Sequence, residues 1–227
     1  QPTVTGLDRS NVHERRYVGH SLPDRVALLN RLSSFKRLAL SLLILTTAPL
    51  SVSSLLSADP LDWPAWRGSN QNSISADNGL IDRFDPKGGE ASNVVWKSEA
   101  AAGISTPIAM NGRLFTIVRD QPDTKQDAEK VIALDQATGE VLWENVYNVF
   151  LSDLPAERVG WSNVCGDPET NRVYVLGACC FFQCIDGESG KTLWSRSLSE
   201  EFGMLSTYGG RTNTPVVFED LVIISGV

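Results

Sequence analysis

The chain has 227 residues, 42% of them hydrophobic, which is enough for a packed core. Its 20 basic and 27 acidic side chains leave a net charge of −7. No stripe of basic residues runs through it, so unaided binding to nucleic acid or to an anionic lipid surface is not expected.

Residues 1–37 carry seven bases (Arg9, Arg15, Arg16, Arg25, Arg31, Lys36, Arg37) and three acids (Asp8, Glu14, Asp24). From Asp59 onward the balance reverses to 13 bases and 24 acids, a net of −11. Residues 1–37 lack strand periodicity and read as a basic, disordered leader that stays out of the fold. Both histidines, His13 and His20, fall there, which removes His ligands and His general bases from the rest of the sequence.

Residues 38–58 begin with the apolar run Leu38–Leu45, continue through Thr46-Thr47-Ala48-Pro49 and end in small residues. A basic flank, a short apolar core and a small-residue exit fit a secretory signal peptide, cleaved after Ala58 or among Ser51, Ser53 and Ser54. The alternative is a retained membrane anchor, because the stretch to Leu56 approaches the ~20 residues a span needs. Pro49 and the many Ser and Thr residues disfavour it. The expectation is an exported, periplasmic or extracytoplasmic protein without a stable membrane span. No cysteine lies in or just after this segment to accept a lipid. Gln1 at the start and Val227 inside an apolar run read as the bounds of a piece of a longer protein.

Residues 59–104 form an N-terminal segment with a closing or first strand that ends in Val94-Val95-Trp96. Residues 105–227 then repeat. Ala133-Leu-Asp135-Gln-Ala-Thr138-Gly139-Glu-Val-Leu-Trp143 aligns with Cys184-Ile-Asp186-Gly-Glu-Ser189-Gly190-Lys-Thr-Leu-Trp194, with Asp, Thr/Ser, Gly and Trp at equal offsets. Each unit holds four short β-type runs separated by turn residues. They are about 106–110, 113–118, 130–134 and 140–146 in the first unit, and 161–165, 172–176, 180–185 and 191–197 in the second. A third unit starts at Thr212 and stops after two strands. Asn111-Gly112 is a two-residue hairpin signal. Asp120 to Glu129 is polar and reads as an exposed loop.

Four strands per ~50 residues predict an all-β fold, a β-propeller of four-stranded antiparallel blades with about two and a half blades visible. In the repeated motif the Asp accepts turn N–H groups and the Gly supplies positive φ. The Trp lies on the outer strand, where its ring can pack against the neighbouring blade.

The motif at 133–143 resembles the tryptophan-docking motif of pyrroloquinoline quinone (PQQ)-dependent quinoprotein dehydrogenases and their non-catalytic relatives. The second copy departs from it at Cys184 and Ser189. Asp62-Trp63-Pro64-Ala65-Trp66-Arg67-Gly68 resembles the start of PQQ-like repeat proteins of planctomycete-type bacteria. The resemblance covers about residues 62–227 and implies the propeller. The related WD-repeat propeller is disfavoured, because its Gly-His and terminal Trp-Asp pairs are absent.

Cys165, Cys179, Cys180 and Cys184 are candidate metal ligands by spacing. All four fall on predicted strands of one blade, where side chains alternate between faces, so no metal site is expected. Quinoprotein alcohol dehydrogenases set a disulfide between adjacent cysteines against the PQQ ring. Here Cys179-Cys180 runs directly into Phe181-Phe182-Gln183-Cys184, which suits an inner-blade strand, and buried structural thiols are expected. Trp161, Arg211 and Asn213 sit in or beside blade-to-blade connections and could line a channel-mouth site. The alternative is that Gly209-Gly210 is only a flexible link and Arg211 a solvated charge.

No catalytic residue is assigned. The leading expectation is a non-catalytic binding or scaffold module in the cell envelope. Its partner would be an envelope protein or a small ligand at the propeller face, with no cofactor in the visible region. The resemblance also implies non-catalytic relatives that help assemble outer-membrane proteins, though those carry a lipid anchor. The alternative is part of a PQQ-dependent dehydrogenase with PQQ and Ca²⁺. A third possibility is an accessory domain of a carbohydrate-processing or sensor protein.

Overall fold

The computed structural model describes residues 3–8, 62–87, 92–149, 156–205 and 213–226. All of them belong to one compact unit. After β1 (Thr3–Asp8), the first blade comprises β2 (Ile108–Met110), β3 (Arg113–Asp120), β4 (Ala128–Asp135) and β5 (Val141–Asn148). The second comprises β6 (Val164–Asp167), β7 (Arg172–Leu176), β8 (Phe181–Asp186) and β9 (Thr192–Ser197), and the third unit contributes β10 (Val216–Phe218) and β11 (Leu221–Gly226). Each of the two full sheets is ordered as in the sequence, and every pairing is antiparallel.

The local chemistry follows the sequence closely in the turns. Asn111 and Gly112 take φ of 52° and 72°, the double positive φ of a tight hairpin. Asp135 Oδ1 accepts from the Ala137 and Thr138 N–H groups, and Asp186 Oδ1 accepts from the Ser189 N–H. Gly139 and Gly190 take φ of 75° and 73°.

Blade contacts make the core. Ile108, Phe115, Ile117, Val131 and Ala133 of the first blade pack on Val164, Val173, Val175 and Ile185 of the second, all buried. Tyr174, Phe182 and Cys184 of the second pack on Val222 and Ile224 of the third unit. Burying each large apolar side chain contributes about 1.5–3 kcal/mol, so the blade interfaces dominate stability. Trp143 reaches across the first of them. Its Nε1–H donates to Gly187 O (3.1 Å), and its ring covers Gly190 so tightly that a Cβ there would lie 2.6 Å from it. Trp96 repeats this arrangement one blade earlier, donating to Gln136 O (3.0 Å) and covering Gly139. Gln136 and Gly187 both follow the motif Asp, so residues around Trp96 hold an outer-strand position.

Three expectations are corrected. The charge pattern sets residues 1–37 apart from the blades, but Thr3–Asp8 runs antiparallel to Leu221–Gly226, with Asp8 opposite Leu221. An edge strand offers unpaired N–H and C=O groups to any extended segment in reach. The rest of the leader, and residues 38–58, lie outside the described residues. Cys179 and Cys180 are not on a strand. They close a short turn, Ala178–Cys180, with φ of 58° and 61°, and the Gly177 N–H donates to Phe181 O (2.8 Å). The exposed loop is also shorter than 120–129, because Ala128 and Glu129 are buried on β4.

Candidate functional site

The segment from Asp62 to Gly68 is laid along the innermost strands. Trp63 bridges Ala109 of β2 through two backbone hydrogen bonds (2.8 and 3.1 Å), and Pro64 O accepts from the Gly166 N–H of β6 (2.7 Å). The Asp62 carboxylate accepts from the Asn111 N–H (3.2 Å). Gly68, with φ of 80°, lies under the Trp63 ring, where a Cβ would stand 2.8 Å from it. The strap is thus pinned to both blades, and its continuation, Trp66 to Gln71, is held in a fixed place.

Between this strap and the inner strands lies an open cleft of about 640 Å³, within the range of small-molecule sites. Thr106, Asn163 and Thr214, at matching positions ahead of β2, β6 and β10, form one wall. Asn163 ties them together: its Oδ1 accepts from the Thr106 N–H (3.0 Å) and its Nδ2 donates to Thr214 Oγ1 (3.2 Å). Trp66, Arg67 and Gln71 form the opposite wall, and Ile104 and Trp161 stand beside them. Trp66 and Ile104 are 54% and 59% exposed, so the mouth presents apolar surface to solvent.

Two of the three residues expected at a channel mouth are brought together here. Trp161 and Asn213 both line the cleft. The Arg158 guanidinium sits 4.2 Å from the Trp161 ring centroid, a cation–π contact, and Asn213 Nδ2 donates to Ser225 O (3.0 Å). Arg211 lies outside the described residues.

The cysteines do not converge. No group of three or more His, Cys, Asp or Glu side chains is placed to hold a metal among the described residues. Burial pushes the Cys165 thiol up to about 11 and the Cys184 thiol up to about 12, so both stay protonated and unreactive at neutral pH. Cys179 is half-buried beside Val159 and Ala178, and neither Cys179 nor Cys180 is among the residues lining the cleft.

Glu129 was missed in the sequence. It is fully buried, and its carboxylate accepts from the Gly160 N–H, the Ala178 N–H and the Tyr147 hydroxyl, each at 2.8 Å. One side chain of the first blade thereby fixes the connection leading to Trp161 and the turn holding Cys179. Burial pushes the carboxyl above the usual range, against the pull of its three donors. The available signal was the period of two: stepping back from Ala133 and Val131 places Glu129 on the same inward face. At the loop, by contrast, Arg119 pairs with Asp127 and holds that carboxyl below the usual range, a structural ion pair.

The family model described as outer membrane protein assembly factor BamB matches residues 77–226. The chain belongs to this PQQ-like repeat family. Membership agrees with the repeated blades and with an all-β propeller architecture. No curated protein matches the chain significantly. Among solved structures it is similar to the quinohemoprotein alcohol dehydrogenase from Comamonas testosteroni, with 19% identity, a TM-score of 0.47, and coverage of 73% of this chain and 23% of that one. A europium-containing methanol dehydrogenase is similar at 16% identity and a TM-score of 0.45, over 74% of this chain and 28% of that one. The chain therefore spans about a quarter of the length of these proteins.

Proposed function

We propose that the chain is part of an exported PQQ-like propeller acting as a non-catalytic binding or scaffold module in the cell envelope, with the cleft between strap and blades as its binding surface. The cleft itself carries this reading: a preformed mouth with exposed Trp66 and Ile104 over a wall that Asn163 ties together through Thr106 and Thr214. Membership of a family described by an outer-membrane assembly factor favours a protein partner in the envelope. The carboxyl groups shifted from their ordinary range support the same reading, because each of these is committed to packing or to a turn. Glu129 joins two blades, and Asp135 and Asp186 close hairpins.

The second reading, part of a PQQ-dependent dehydrogenase, fits these residues poorly. Quinone chemistry of that kind needs a cage and, with Ca²⁺, oxygen ligands that include carboxylates. The described lining of the cleft contains no Asp or Glu, and the adjacent cysteines lie outside it. Two measurements test the proposal. Mass spectrometry of the envelope fraction should find a mature start between about Ser51 and Asp59, a cleavage that removes β1 and leaves the β11 edge open. Titration of the protein with PQQ and Ca²⁺ should give no saturable change in quinone absorbance. A saturable change lost in Cys179→Ser would favour the dehydrogenase, and a protein retained in the cytoplasm would remove the envelope role.

A further inference from the structure

From Asp59 onward the sequence has 24 acidic side chains, yet none is among the described residues lining the cleft. The one formal charge there is Arg67. It is fastened at both ends of its residue to Ser73: its carbonyl accepts from the Ser73 N–H (2.9 Å), and its Nε donates to Ser73 Oγ (3.0 Å). The turn between them is held by the Gln71 N–H donating to Gly68 O (3.0 Å), with Gln71 in the left-handed region at φ of 51°. That conformation is costly for a non-glycine residue and persists only where its surroundings enforce it. The two Nη groups are left with no recorded partner among the described residues. Arg67 and the exposed Trp66 both line the cleft, on a strap pinned to two blades.

We infer that the cleft binds a ligand with an apolar or aromatic body ending in a single carboxylate. This rests on the proposed role of the cleft as the binding surface. A guanidinium whose Nε is already held presents its remaining N–H groups in a plane, the geometry that receives a carboxylate. With Arg158 engaged on the Trp161 ring, Arg67 is the one charged residue of the described lining, which matches a monoanion. A phosphate or a polycarboxylate would bring charge that this wall leaves unpaired. The exposed Trp66 and Ile104 supply the apolar and stacking surface for the body. Asn163 is spent on Thr106 and Thr214, so it fixes the wall rather than reading the ligand. A free organic acid and the C-terminus of a peptide share this chemistry.

The test uses the full chain and two matched pairs of probes: N-acetyl-L-phenylalanine against its amide, and a hexapeptide ending in phenylalanine with a free or an amidated C-terminus. Calorimetry and tryptophan fluorescence read binding. The acid should bind at least about tenfold more tightly than the matching amide. Arg67→Met, which keeps the stem, should erase the preference, and Trp66→Ala should weaken both members of a pair. Circular dichroism checks that each variant is folded. Tighter binding of the peptide acid than of the acetyl amino acid assigns a C-terminus, and equal binding assigns a free acid. Both outcomes support the inference. Equal binding of acid and amide, or a preference that survives Arg67→Met, overturns the carboxylate and leaves the cleft as a binding surface. No saturable binding by any probe overturns both the inference and the cleft as the binding surface.

Discussion

The two complete blades share an outer half and differ in the middle. Ile117 pairs with Val131 in the first blade just as Leu176 pairs with Phe182 in the second. Beyond that rung the first blade continues through Val118, Arg119 and Asp120, paired with Lys130, Glu129 and Ala128. The second blade stops and turns at Gly177–Cys180. The shorter hairpin delivers the Ala178 N–H to the Glu129 carboxylate supplied by the longer one. A repeat thus conserves what stacks the blades, and a difference in strand length creates a fully buried carboxylate, Glu129, that locks this pair together.

Removing that lock should have the largest effect. Glu129→Ala strands two backbone N–H groups and the Tyr147 hydroxyl, and should cost about 3–5 kcal/mol in urea denaturation. Glu129→Gln should cost less, about 1–3 kcal/mol, because its NH₂ must face one of the donors. The pH dependence has a definite sign. A carboxyl raised in the folded state binds its proton more tightly folded than unfolded, so its contribution falls as pH rises from the unfolded value of about 4.3 through the folded value, and is flat above. The advantage of the wild type over Glu129→Gln should therefore be greatest near pH 4 and shrink toward neutrality. The opposite slope would mean that the three donors outweigh burial and hold the group ionised.

The Trp–Gly contacts sharpen the comparison at the outer strands. Gly190→Ala must displace the Trp143 ring and tolerate a positive φ, for about 2–3 kcal/mol. Gly139→Ala meets the same clash with Trp96, but no neighbouring strand is recorded beside residues 92–98 among the described residues, so that segment can shift. Only the left-handed penalty of about 1 kcal/mol should remain. Thermal denaturation of the two variants side by side measures the difference. Equal losses would show that the Trp96 segment is held as firmly as β5.

These contrasts explain what the sequence could disclose. The outer halves were legible because Asp135, Gly139 and Trp143 act within a local turn and recur as Asp186, Gly190 and Trp194 at equal offsets. The cleft was half legible. Trp161 and Asn213 were found from their place in the connections, whereas Arg67 and Trp66 reach it through a strap whose pairing with Ala109 and Gly166 is non-local. No repeat marks such a pairing. The Cys179-Cys180 turn was hidden because its residues carry no Gly or Asn to announce positive φ, and Phe181-Phe182 extends the strand pattern back across it.

The smallest effect distinguishes the two motif turns themselves. Asp186 Oδ1 accepts from both the N–H and the hydroxyl of Ser189 (2.7 and 2.6 Å), which holds its carboxyl below the usual range. A depressed carboxyl contributes stability above its unfolded value of about 3.9 and loses it as pH falls through the folded value. Asp186→Asn keeps an acceptor oxygen but removes the charge. It should therefore cost only about 0.5 kcal/mol at pH 7 after solvent screening, and nothing once acid has protonated the wild type. Asp135 makes the corresponding bonds to Thr138 at longer distances (2.9 and 3.1 Å), and its carboxyl is lowered in the same direction. Asp135→Asn should therefore follow the same pH trend with a smaller amplitude. The second turn is also braced by Arg113 from the first blade, which donates to Gly187 O (2.7 Å) and pairs with Glu188 (2.6 Å). If this brace adds to the effect, Arg113→Met should narrow the gap between the two Asp→Asn variants when their urea midpoints are compared from pH 2 to 7. An unchanged gap would assign the difference to Ser189 and Thr138 alone.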